Sequence, residues 1–151
     1  MRKSNFITIL SICLFFAKGM NGYGQEKYNA SDIKGIWVST MQYVESSDDY
    51  VSIEDDETIC FGFTESKGKI NNGRYTGLYR KFDGSTPKLL YYDIDRSTII
   101  LYDSSDNRLS YSLEIETLVP KFSMTATLIH KGDNAVEKVK MIFMYHEKGK
   151  K

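Results

Sequence analysis

From Gly35 to Tyr145 the apolar residues fall in short clusters rich in Ile, Val, Thr, Tyr and Phe, bounded by Gly, Asp, Asn and Ser. Within the clusters they alternate in twos. Ile59, Phe61 and Phe63 share one face opposite Cys60 and Gly62, and Tyr111, Leu113, Ile115 and Thr117 oppose Ser110, Ser112, Glu114 and Glu116. Phe122, Met124, Ala126 and Leu128 oppose Ser123, Thr125 and Thr127, while Val139, Met141, Phe143 and Tyr145 oppose Lys138, Lys140, Ile142 and Met144. Strand side chains point to two faces with a period of two, whereas a helix buries residues with a period of 3.6. The pattern predicts eight strands at 35–44, 57–64, 73–82, 88–94, 97–102, 109–118, 122–130 and 136–145, each with one face in a core.

The joints agree. Asn72-Gly73, Asp83-Gly84 and Gly132-Asp133-Asn134 adopt left-handed turn angles at little cost, and Asp103 to Asn107 offers side-chain oxygens that cap a turn. Pro87 and Pro120 fall at segment edges, where a missing N–H costs no ladder bond. Short connections favour antiparallel neighbours, and no interior stretch has the periodicity of a long helix, which disfavours a crossover architecture. The expected fold is therefore all-β: an antiparallel eight-stranded up-and-down barrel, with a two-sheet β-sandwich as the alternative.

The N-terminus reads differently. Arg2 and Lys3 precede an apolar run from Phe6 to Ala17, and Gly22-Tyr23-Gly24 supplies small residues for cleavage before Gln25. Twelve residues of helix rise about 18 Å, short of the roughly 30 Å hydrocarbon core, so a signal peptide is expected rather than a stable membrane span. Cys13, preceded by Leu10-Ser11-Ile12, only partly resembles a bacterial lipobox, which wants a small residue where Ile12 stands. The expected organisation is a signal peptide at 1–24, a polar lead-in at 25–34, a single domain at 35–148 and a basic tail at 149–151, with export to the periplasm or beyond. After cleavage Cys60 is the sole cysteine, so no intrachain disulfide is expected. The mature chain then carries seventeen basic and twenty acidic residues, a net charge of −3 that argues against nucleic acid as a partner. The Asn29-Ala30-Ser31 sequon reads as an unmodified part of the lead-in.

No chemistry-bearing motif accompanies this pattern. His130 and His146 stand outside any H-x-x-x-H or H-E-x-x-H spacing, and the acidic clusters at Asp48-Asp49, Glu54 to Glu57 and Asp103 to Asp106 do not match a calcium loop. The chain has no G-x-S-x-G elbow and no phosphate-binding glycine loop. Neither a catalytic residue, a metal nor a cofactor is expected.

Gly35-x-Trp37 at the first strand resembles the glycine-x-tryptophan signature of lipocalins and of compact lipocalin-like bacterial domains. The resemblance implies an eight-stranded barrel in which Gly35 and Trp37 close one end, often beneath a basic residue following the last strand. Here no arginine follows Arg108, leaving Lys140 or Lys148 for that place. Barrels of this size hold either packed side chains or one small ligand. The alternation places Phe61, Phe63, Tyr111, Phe122 and Phe143 inside as candidate ligand contacts, with tyrosine hydroxyls to orient a polar group. The expected function is non-enzymatic binding of a small apolar or amphipathic molecule; the alternative is a structural or protein-interaction domain of the cell envelope.

Overall fold

The computed structural model describes residues 27–67 and 73–147. The expected signal peptide, Cys13, Asn72, Lys148 and the basic tail lie outside the described residues. One helical turn, α1 (Ala30–Ile33), precedes the strands β1 (Gly35–Val44), β2 (Asp49–Ser52), β3 (Ile59–Lys67), β4 (Tyr75–Lys81), β5 (Lys88–Asp95), β6 (Thr98–Asp103), β7 (Leu109–Val119), β8 (Ser123–Lys131) and β9 (Val136–His146). Each neighbouring pair is antiparallel, in the order β1-β3-β4-β5-β6-β7-β8-β9. β9 returns to β1, with Ile36 opposite His146 and Gln42 opposite Met141. That last ladder decides between the two architectures: eight strands close into an up-and-down barrel, and the sandwich is excluded.

The ninth strand, β2, was not legible in the sequence. Its four residues, DYVS, are short and begin with a charge, and they pair only with the far half of β1. β1 therefore serves three partners. Residues 35–38 pair with β3 and residues 41–44 with β2 on one edge, while 36–42 pair with β9 on the other. The change of partner occurs at a bulge between Ser39 and Met41. There the Ile59 N–H, which has no ladder partner on β1, donates to the buried Ser39 hydroxyl at 2.9 Å. A buried N–H left unpaired costs about 1–3 kcal/mol, so one serine hydroxyl allows β1 to leave β3.

The core is the barrel axis. Trp37, Phe61, Phe143, Leu101, Leu113 and Met124 are among its fully buried side chains. Alternation holds along β5, where Tyr92 is buried and its neighbour Tyr91 is half-buried. It fails in two places. β7 bulges between Ile115 and Thr117, which exchanges the faces, so Thr117 is exposed and Leu118 packs on the core. Phe122, expected inside, is 61% exposed. It belongs to the turn before β8, and the period of two does not extend through a turn.

Candidate functional site

Gly35 and Trp37, expected to close one barrel end, take part in a three-part contact with α1 and Tyr145. α1, whose Ala30 and Ile33 are buried, caps the axis although it falls in the expected polar lead-in. The Asn29 N–H donates to the Asp32 carboxylate at 2.8 Å, satisfying the first turn. Trp37 then donates its indole Nε1–H to the Ile33 carbonyl at 2.7 Å, and the edge of Tyr145 meets its ring at 5.4 Å and 75°. Gly35 makes this arrangement fit. Its φ is +124°, and a Cβ there would stand 2.3 Å from Tyr145 Cε2. An aromatic edge thus packs against Trp37. Lys140 instead pairs with Glu116 at 2.7 Å, and its ammonium lies 5.9 Å from the Tyr43 ring centre.

Four of the five candidate interior residues come together. Phe61 and Phe63 stack at 5.9 Å, Phe61 meets Phe143 at 6.0 Å and Tyr79 at 5.3 Å, and Tyr79 stacks on Tyr111 at 5.1 Å. Tyr111 continues to His130 at 4.9 Å, half-buried toward the mouth, the end opposite Trp37. Phe122 is remote from this chain of rings by its place in the exposed turn. At the Trp37 end Phe63 meets Tyr92, which stacks on Tyr75 at 5.2 Å and donates its O–H to the Thr64 carbonyl. Burial raises the Tyr92 and Tyr79 phenols well above the ordinary tyrosine value, reinforced by Tyr75 and Tyr111 respectively. Both stay neutral hydrogen-bonding groups at any physiological pH. Ring-on-ring contact fills the level of Phe61 and Phe63.

A groove lies on the other side of the same strands, and the sequence analysis did not find it. Ile36, Gly62, Leu78 and Leu89 are successive cross-strand partners over β1, β3, β4 and β5, so they form one row on the outer face. Gly62 interrupts the row with no side chain. The notch opens into a groove of about 380 Å³ lined by Ile36, Phe63, Thr64, Thr76, Leu78 and Leu89, with Lys34 at its rim. Leu78 and Leu89 are 41% and 51% exposed on its walls. Lys34 pairs with Glu65 at 2.7 Å, which raises its pKa and holds the rim beside α1. Nearer the mouth, a second recess of about 440 Å³ is bordered by Val38, Asp55, Thr58 and Phe82 on the same outer face. The signal missed in the sequence is the glycine itself: a small residue at the exposed position of a strand otherwise flanked by aliphatic partners.

Among the described residues no group of three or more His, Cys, Asp and Glu is placed to hold a metal ion. His130 sits in the ring stack and His146 ends β9 opposite Ile36. The half-buried Cys60 thiol is pushed up by burial, against the opposing pull of Arg80, so it is a poor nucleophile. Among the described residues no helix is long and apolar enough to cross a membrane.

The fold is an eight-stranded antiparallel barrel consistent with the lipocalin-like superfamily. No protein-family model matches the chain, and searches of curated proteins and of solved structures return no match.

Proposed function

We propose that this barrel is an exported, non-enzymatic binding domain that takes one small apolar or amphipathic molecule in the outer groove over Gly62. The observation that carries the reading is a concave apolar site of about 380 Å³ whose floor exists because one strand position lacks a side chain. Small-molecule sites span roughly 300–1,000 Å³ and are lined mostly by apolar groups with a few polar ones at the rim. Thr64, Thr76 and Lys34 supply that rim. The interior favours this external location, since Phe61, Phe63 and Phe143 already contact one another where a ligand would lie. Export rests on the N-terminal sequence.

Gly62→Val tests the reading. A Cβ at this position would lie 3.5 Å from the Leu78 Cβ, an ordinary contact, so the substitution fills the groove without disturbing the barrel. Titration with an anilinonaphthalene sulfonate probe should show at least tenfold weaker binding at an unchanged thermal midpoint. Undiminished probe binding with the groove filled refutes the site. A second reading, contact with a cell-envelope protein, is favoured by the exposed Phe82, Leu78 and Leu89 on this same face. It gains if the natively purified protein carries a polypeptide and no small molecule.

A further inference from the structure

The outer face over β3 to β6 carries a polar row beside the apolar one. Thr64, Thr76, Tyr91 and Tyr102 follow one another across the strands: the Thr64 and Thr76 hydroxyls meet at 2.6 Å, Thr76 is opposite Tyr91, and Tyr91 is opposite Tyr102. Alternate residues of a strand share a face, so Thr76 lies on the face of Leu78 and Tyr91 on that of Leu89. The row therefore flanks the groove, which Thr64 and Thr76 already line. A charged pair follows on the same face. Arg74, just before β4, donates its Nε–H to the Asp93 carboxylate at 3.1 Å and lays its guanidinium over the Tyr102 ring at 3.5 Å.

This pair has hydrogen-bonding capacity to spare. The Arg74 side chain is only 20% exposed, yet its one hydrogen bond runs through Nε. Among the described residues its two terminal nitrogens and the second Asp93 oxygen have no protein partner. Stacking on Tyr102 fixes the plane of the guanidinium, so those donors are presented in a set direction beside the carboxylate. The Tyr91 hydroxyl is also without a protein partner among the described residues, and its ring is half-buried. Thr64 donates to the Thr76 carbonyl at 2.9 Å, so the hydrogen shared by the two hydroxyls comes from Thr76, whose oxygen keeps its lone pairs for an incoming O–H. The charges bordering the groove and the row are matched, Arg74 with Asp93 and Lys34 with Glu65. Arg80, on the mouth side of Leu78, holds its guanidinium 5.1 Å over the Phe82 ring.

We infer that the groove takes a glycoside, its apolar aglycone over Gly62 between Ile36 and Leu78 and its sugar on Tyr91, between Thr76 and the Arg74–Asp93 pair. The ligand class rests on the binding role proposed above. A sugar matches this row on two counts. Its C–H face packs on an aromatic face, where the ring's quadrupole is negative. Its neighbouring hydroxyls are each donor and acceptor, so one can accept from Arg74 while the next donates to Asp93, and neither protein charge loses its partner. An ionic head does worse: an anion competes with Asp93 for Arg74, and a cation competes with Arg74 for Asp93. A hydrogen bond to a charged partner is worth about tenfold or more in affinity, enough to separate a sugar from an ion on the same apolar tail.

Octyl glucoside, octyl galactoside, octyl sulfate and octyltrimethylammonium share one tail and differ in the head, so amide NMR titrations below their micellar concentrations compare the heads directly. At least one glycoside should bind about tenfold tighter than either ion, with shifts at Gly62, Thr76 and Tyr91. Tyr91→Ala should bring that glycoside down to the affinity of the ions and leave the ions unchanged. Asp93→Asn, which releases Arg74, should move the preference to the sulfate. Gly62→Val should weaken every probe. Equal affinity for all the heads, with shifts at Gly62, overturns the glycoside and leaves the groove as an apolar site. Preference of the parent protein for an ion, or a glycoside preference that survives Tyr91→Ala, overturns the sugar's placement on this row. No binding of any probe by the parent protein overturns the groove and the glycoside together.

Discussion

Gly35→Ala should destabilise this barrel far more than a single methyl group suggests. Three costs add. An alanine held at φ +124° costs roughly 1–2 kcal/mol in backbone strain. The new Cβ would lie 2.3 Å from Tyr145 Cε2, so the ring must move, and overpacking of this kind costs about 1–3 kcal/mol. Displacing the ring also sacrifices its edge contact with Trp37, worth about 0.5–1.5 kcal/mol. A loss of about 3 kcal/mol or more follows, which urea unfolding monitored by Trp37 fluorescence would register. A domain of this size loses roughly 3–5 °C in melting temperature per kcal/mol, so the midpoint should fall by about 10 °C. The steric share can be isolated by a double-mutant cycle, because Tyr145→Ala removes the obstacle. The paired variant should be more stable, by about 1 kcal/mol or more, than the sum of the single losses implies. A Gly35→Ala protein within about 0.5 kcal/mol of the parent, or strict additivity with Tyr145→Ala, would show that Gly35 is not what seats the Trp37–Tyr145 pair.

Trp37→Ala should cost about 3–5 kcal/mol in chemical unfolding, through the lost ring and the orphaned Ile33 carbonyl; an unchanged midpoint contradicts the closure described for this end. Ser39→Ala should cost about 1–3 kcal/mol by leaving the Ile59 N–H unpaired, and hydrogen exchange at that amide should accelerate, whereas unchanged exchange at Ile59 would argue against the serine's role. The pH dependence has a definite sign: Tyr79 and Tyr92 have raised native values, so their contribution to stability is intact below the ordinary tyrosine value of about 10 and is lost as pH climbs above it. An ultraviolet titration should show two phenols resisting ionisation until the barrel unfolds, and full ionisation of the native protein near pH 10 would refute their burial.

How far the sequence determines this protein depends on the range of the signal. Strand alternation is a local property of the chain, and it assigns Phe61, Phe63, Tyr111 and Phe143 to the inner face because each lies within an uninterrupted period of two. The same rule misplaces Phe122, where the chain turns, and Thr117, where a bulge exchanges the faces. Both events depend on how a strand meets its neighbour. Gly35 and Trp37 are recognisable as a pair, but their purpose depends on Tyr145, more than a hundred residues away in sequence and beyond the reach of any local pattern.

The residues by themselves determined an all-β chain of short antiparallel strands with aromatic inner faces, since propensity, alternation and turn chemistry act over a few positions. Tertiary structure alone decided two further things. The β1–β9 ladder closes the sheet, because hydrogen bonding between the first and last long strands is a contact between the two ends of the domain. Gly62 becomes the floor of a groove only when Ile36 and Leu78 are brought to either side of it.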